Sequence, residues 1–112
     1  MLPNLRIGTW NEEIEKLVCP YCLNEFTPRR FSDLVMKQCP VCHRYFLLPR
    51  NLVLKLVSDK KNMGMVREQV QRKMGLNISD MTDKELQSYV IELIQEEKLQ
   101  WDSRGWFYVS NI

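Results

Sequence analysis

One short motif occurs twice in this chain, as Cys19-Pro20-Tyr21-Cys22-Leu23-Asn24-Glu25-Phe26 and as Cys39-Pro40-Val41-Cys42-His43-Arg44-Tyr45-Phe46. Both copies read C-P-x-C-x-x-x-F, and sixteen residues lie between Cys22 and Cys39. Two cysteines three apart in a tight turn point both sulfurs to one side. Two such turns facing each other make a tetrahedral four-sulfur cage. Proline stiffens each turn and leaves the following backbone N–H groups to donate to the thiolates. Phe26 and Phe46, at matching offsets, are placed to close an apolar lid. The spacing C-x2-C-x16-C-x2-C is that of a structural zinc site. The expected ligands are Cys19, Cys22, Cys39 and Cys42, holding one zinc ion per chain. Iron fits the same cage, and spacing does not separate the two, but a closed site without a redox partner favours zinc.

The segment CPVCH also matches the attachment motif of a c-type haem. That reading needs an oxidising compartment and leaves CPYC unexplained. A thioredoxin-like dithiol lacks its βαβ context. His43 is therefore expected to be an exposed turn residue beside a ligand.

A chain of 112 residues can hold two small units only if one has help from a metal or disulfides. Its apolar fraction of 45% and charged fraction of 27% are those of a soluble globular protein. MLPNLRIGTWNEEIEK has no apolar leader, and the chain has no run of about 18 apolar residues. A cytoplasmic protein without a membrane partner is expected, and reduced cysteines with it. The formal charge of +2 is unevenly spread. Residues 1–28 carry a net of −2, residues 29–73 a net of +8 from eleven Lys or Arg against three acids, and residues 74–112 a net of −4. A basic centre between acidic ends points to one positive surface.

Residues 14–49 resemble a zinc ribbon of the rubredoxin-like type, a family found in transcription, replication and translation proteins. That family usually has Gly directly after each C-x-x-C, in a left-handed conformation. Here Leu23 and His43 stand there, with Asn24 able to take that conformation one residue later. The resemblance implies a structural metal, and Arg29, Arg30, Lys37 and Arg44 are close enough in sequence to offset the charge of four thiolates.

Beyond Pro49, the run Asn51-Leu52-Val53-Leu54-Lys55-Leu56-Val57 is read as a short helix. Val66, Val70 and Met74 recur at helical spacing in a helix over 63–74 that Gly75 ends. Thr82 or Ser79 can cap the next helix, with Glu85 three beyond Thr82. Leu86, Val90, Leu93 and Ile94 then form the apolar stripe of a helix over 83–97. Leu99 and Trp101 on one side of Asp102-Ser103-Arg104-Gly105, with Trp106-Phe107-Tyr108-Val109 on the other, make a hairpin.

The pieces MVREQVQRKMGL, LQSYVIELIQEEKL and the hairpin resemble a winged helix-turn-helix domain. The expected fold is α+β, a small zinc ribbon over 1–49 packed next to a winged-helix domain over 50–112. The resemblance implies a DNA-binding transcriptional regulator or an accessory factor of transcription or replication machinery, and a homodimer is common in such regulators. Its third helix would enter the major groove and its hairpin would touch phosphate or the minor groove. Here that helix begins Asp83-Lys84-Glu85 and continues to Glu92, Glu96 and Glu97, so Lys84, Gln87 and Ser88 are its candidate contacts. The remaining candidates are Lys60, Lys61, Arg67, Arg72, Lys73 and Arg104, with Arg29, Arg30, Arg44 and Arg50 of the ribbon as an expected extension of that surface. Phosphate contacts from these would give salt-sensitive affinity for duplex DNA with little sequence reading. Changing Arg67, Arg72 and Lys73 together to Glu is expected to abolish DNA binding and leave folding intact.

A second class of function is a protein-interaction adaptor, using the acidic third helix and Trp101, Trp106, Phe107 and Tyr108 of the hairpin. The hairpin aromatics are otherwise expected to pack onto the third helix. An enzyme is not expected. The chain has one histidine and no glycine-rich phosphate loop, and Asp80, Asp83 and Glu85 read as cap and first-turn charges.

Overall fold

The computed structural model describes residues 5–96, 98–102 and 105–108, with Met74 and residues 99–102 and 105–108 described by backbone alone. The fold is mixed α+β, with three small antiparallel sheets and three helices. Strand β1 (Thr9–Asn11) pairs with β2 (Lys16–Val18), and β2 with β3 (Glu25–Phe26). A separate pair joins β4 (Met36–Gln38) to β5 (Tyr45–Leu47). The cysteine repeat is thus a repeat of hairpins. Leu17 faces Phe26 in the first, and Lys37 faces Phe46 in the second.

The two hairpins are tied together upstream of β1. Leu47 N donates to Arg6 O at 2.8 Å, and Gly8 N donates to Leu47 O at 2.9 Å. Gly8 is required by that approach, because a Cβ there would meet the Phe46 ring at 2.6 Å. The paired hairpins therefore begin before residue 14, where the zinc-ribbon resemblance begins. Phe26 packs edge-on against Phe46, with ring centroids 6.3 Å apart, and Phe46 is fully buried.

Two residues separate β5 from α1 (Arg50–Ser58). Leu52, Val53, Leu56 and Val57 of α1 are buried, the i, i+1, i+4, i+5 pattern of a helix lying on a core. Asn51 Nδ2 donates to Trp10 O at 3.1 Å, and the Lys55 ammonium sits 5.2 Å from the centre of the Trp10 ring while pairing with Glu15. A 3₁₀ turn (Lys60–Asn62), not foreseen in the sequence, leads into α2 (Met63–Met74). Gly75 closes α2 at φ 66°, the left-handed cap expected of glycine.

Helix α3 (Asp83–Gln95) is capped by Thr82, whose hydroxyl accepts from Glu85 N at 3.2 Å and donates to Glu85 Oε1 at 3.1 Å. Its buried residues are the four expected, Leu86, Val90, Leu93 and Ile94. Strands β6 (Leu99–Asp102) and β7 (Gly105–Tyr108) pair in the register Leu99↔Tyr108 to Asp102↔Gly105. β7 runs beside α2, and the expected packing of the hairpin aromatics on α3 falls on side chains outside the described residues. The buried residues form one cluster, from Trp10 and Leu17 in the ribbon through Leu48 and Val53 to Val90 and Ile94. Among the described residues, no helix is long and apolar enough to cross a membrane.

Candidate metal centre and basic clefts

The sulfurs of Cys19, Cys22, Cys39 and Cys42 all lie within 4.8 Å of one another. Across the two turns, Cys19 Sγ is 3.6 Å from Cys42 Sγ, and Cys22 Sγ is 3.6 Å from Cys39 Sγ. A tetrahedron with metal–sulfur bonds of about 2.3 Å has edges of about 3.8 Å, so the cage has the dimensions a zinc-sized ion requires. The first cysteine of each pair is buried and the second half-buried.

Each turn closes in the same way. Leu23 N donates to Cys19 O and His43 N to Cys39 O, both at 3.0 Å. Cys19 N donates to Asn24 O at 3.1 Å, and Cys39 N to Arg44 O at 2.9 Å. This geometry places Leu23 at φ 63° and His43 at φ 62°. The left-handed residues are thus those directly after each C-x-x-C, and Asn24 is not among them. Non-glycine residues in this region carry a local conformational cost, which the closed turn has to offset. His43 is exposed, lies outside the sulfur cluster and serves the turn through its backbone.

Backbone N–H groups converge on the sulfurs as expected. Tyr21 N lies 3.4 Å from Cys19 Sγ, Val41 N 3.4 Å from Cys39 Sγ, and Cys42 N 3.5 Å from Cys39 Sγ. Asn24 Nδ2 adds a donor 3.3 Å from Cys22 Sγ. The backbone N–H of Asn24, then its side-chain amide, holds the Cys22 thiol down to about 6. At Cys42 the backbone N–H of Arg44 acts in the same direction, yet burial and the three neighbouring sulfurs push the thiol up to about 11. Four crowded sulfurs resist ionising together, and a cation at their centre removes that conflict. The four cysteines are positioned to bind a metal ion.

The cations expected to balance the thiolates do other work. Lys37 Nζ donates to Arg30 O at 2.8 Å and lies 5.5 Å from the Phe31 ring centre. Arg44 and Arg6 lie 5.4 and 5.6 Å from the Tyr21 ring centre. Arg29 and Arg30 are exposed on the loop after β3 and form no ion pair among the described residues. The direct donors to the sulfurs are thus the expected backbone N–H groups and the Asn24 amide.

Compared with protein-family models, curated proteins and solved structures, this chain matches none.

Of the nine residues expected at a nucleic-acid surface, eight are among the described residues. Lys60, Lys84 and Gln87 line a single cleft of about 370 Å³ at the start of α3, beside Met63, Thr82 and Asp83. Lys61, adjacent to Lys60, lines a second groove with Arg29 and Arg30. Ser88 is exposed on α3. Arg67 has a different task. Its guanidinium donates to Ile78 O at 2.9 Å, to Met81 O at 2.8 Å and to Asp83 Oδ1 at 2.9 Å, bracing the α2–α3 connection. Gln87 Nε2 donates to Val57 O at 2.9 Å, which ties α3 to the end of α1. Arg72 pairs with Glu68 one turn earlier on α2, and Lys73 is half-buried. Arg104 lies outside the described residues, as do the side chains of Trp101, Trp106, Phe107 and Tyr108. The triple change of Arg67, Arg72 and Lys73 to Glu would therefore break the α2–α3 brace and does not isolate binding from folding. Arg29 and Arg30, expected both as thiolate counterions and as an extension of the basic surface, line the second groove and form no ion pair among the described residues. The sequence signal was present, in Pro28-Arg29-Arg30 between two strands, but its placement depended on tertiary packing.

Proposed function

We propose that this protein is a non-catalytic, zinc-containing DNA-binding protein of the transcription or replication apparatus. Zinc is the metal that a closed four-thiolate cage favours, and its role is to hold the ribbon. The observation that carries the DNA reading is the convergence of Lys60 and Lys84 on one cleft at the first turn of α3. That is the end of the helix that the winged-helix resemblance would direct toward duplex DNA. The acids there are already engaged. Asp83 pairs with Arg67, and Glu85 closes the Thr82 cap, which lessens the repulsion of phosphate that the sequence suggested. With Gln87 tied to Val57 O, direct base reading is weak and phosphate contacts supply most of the affinity.

The test is binding of a random-sequence duplex to the metal-loaded protein at two salt concentrations. About four phosphate contacts predict a loss of roughly 100-fold between 50 and 200 mM salt. Lys60→Glu combined with Lys84→Glu should cost at least about tenfold at low salt, and both side chains are exposed enough for the fold to stay intact. Absence of binding at 50 mM salt would reject this reading. It would favour the protein adaptor, for which the exposed acids Glu92 of α3 and Glu96 at its C-terminal cap are the supporting feature.

A further inference from the structure

The second groove lies between the loop after β3 and helix α1, and holds about 380 Å³. That volume is at the lower end of sites that enclose a small organic group. Its chemistry is mixed. Arg29, Arg30 and Lys61 line it together with the half-buried Phe31 and with Trp10, Leu52 and Leu56, which are nearly closed from water. The two acids present are engaged locally. Glu15 pairs with Lys55, and Asp59 Oδ1 accepts from Lys61 N at 3.2 Å while Oδ2 lies 3.5 Å from Lys61 Nζ. Arg29 and Arg30 carry no such partner among the described residues. Trp10 lines the groove at 7% exposure, and its buried indole N–H has no acceptor among the described residues.

A duplex offers a protein surface its phosphates, while its bases stay stacked inside. Phosphate alone would satisfy Arg29 and Arg30 but make no use of the half-buried Phe31 ring beside them in sequence. A base outside the stack uses both, its planar face on Phe31 and its phosphate on the guanidinium groups. The chain places this groove next to the α3 cleft, because Lys61 lines one and Lys60 the other. We propose that the groove between the ribbon and α1 is a site for an unpaired nucleotide of single-stranded nucleic acid. The preferred target is then a duplex with a single-stranded extension. This rests on the DNA-binding reading above and narrows its substrate.

The experiment compares three probes on the metal-loaded full chain: a blunt duplex, the same duplex with a six-nucleotide single-stranded extension, and the single strand alone. The extension should tighten binding by roughly tenfold, the scale of stacking one base. Phe31→Ala should erase that gain and leave blunt-duplex affinity within about twofold. Arg29→Ala with Arg30→Ala should lower affinity for the extended probe and flatten its salt dependence. Should Phe31→Ala fail to fold, a second readout replaces it. In a variant with Trp101→Phe and Trp106→Phe, Trp10 is the remaining tryptophan, and the single strand should change its emission. Equal affinity for blunt and extended probes, with blunt binding still lost in the Lys60 and Lys84 double variant, overturns this inference alone. No binding of any probe overturns the DNA reading with it. Displacement of the strand by poly-glutamate at equal affinity overturns it in favour of an acidic-peptide site. Binding of the single strand without the duplex upholds the groove and rejects the duplex reading.

Discussion

Among the described residues up to 49 no strand is longer than three residues, whereas the three helices that follow run nine, twelve and thirteen. Ladders this short cannot hold a sheet unaided. The ribbon's order is concentrated in four sulfur atoms and the two turns that carry them. The helical lobe is built the opposite way, from many buried Leu, Val and Ile side chains, none of which is decisive alone. Yet the two share one apolar cluster, with Phe46, Leu47 and Leu48 leading into Leu52 and Val53. The difference teaches where damage should be all-or-none and where it should be graded.

The largest effect should follow Cys39→Ser. Metal binding in such sites is folding free energy of about 10 kcal/mol or more, so one lost ligand should release the ion and unfold the ribbon. Backbone NMR should then show residues 9–47 collapsed to unfolded shifts with much of the helical signal at 222 nm retained. Loss of the helices in step would erase the contrast between the lobes. Next comes Leu86→Ala, a fully buried side chain in the helical core. It should cost about 2–5 kcal/mol in chemical denaturation and leave metal content at its original value.

Arg67 offers a smaller and more selective test. Arg67→Ala removes three charge-assisted donors from the α2–α3 connection and should lower stability by about 1–3 kcal/mol. Arg72→Ala, whose partner is an exposed Glu68, should change it by less than about 0.5 kcal/mol. Equal effects would mean that the brace is not stabilising. Smallest is the pair linking the lobes, Glu15 and Lys55. The hydrogen bond and charge of Lys55 hold the Glu15 carboxyl below its ordinary 4.5. A depressed carboxylate stabilises the fold above the unfolded value, and its contribution disappears as pH falls through the lower folded one. Both side chains are largely in water, so the effect is slight. The gap in unfolding midpoint between wild type and Glu15→Gln should shrink as pH falls from neutrality through 4.5, and a gap that widens would contradict the pairing.

The same contrast explains what could be read before the fold was known. Four cysteines at fixed spacing specify a cage because the chemistry permits few alternatives, so Cys19, Cys22, Cys39 and Cys42 could be paired with a metal outright. Helical periodicity likewise gave the stripe of α3, Gly75 announced its cap, and of the two candidates Thr82 and Ser79 the structure uses Thr82. What stayed hidden depended on contacts far apart in sequence. Arg67 looked like any solvated cation of an amphipathic helix until Ile78, Met81 and Asp83 closed around it. Lys37 and Arg44 have the charge to face thiolates but lie over aromatic rings instead. Gly8 has no signal of its own, since its need comes from a ring thirty-eight residues away. The left-handed turns at Leu23 and His43 were masked for another reason, that residue preference argued for Asn24 while turn closure decided the matter.

X-ray absorption on protein purified without added metal asks the most direct question of this molecule. One metal edge per chain, with four sulfur neighbours at about 2.3 Å and no nitrogen neighbour, is the expected result. A metal-free protein that keeps an ordered ribbon, or an ion ligated in part by His43, would contradict it.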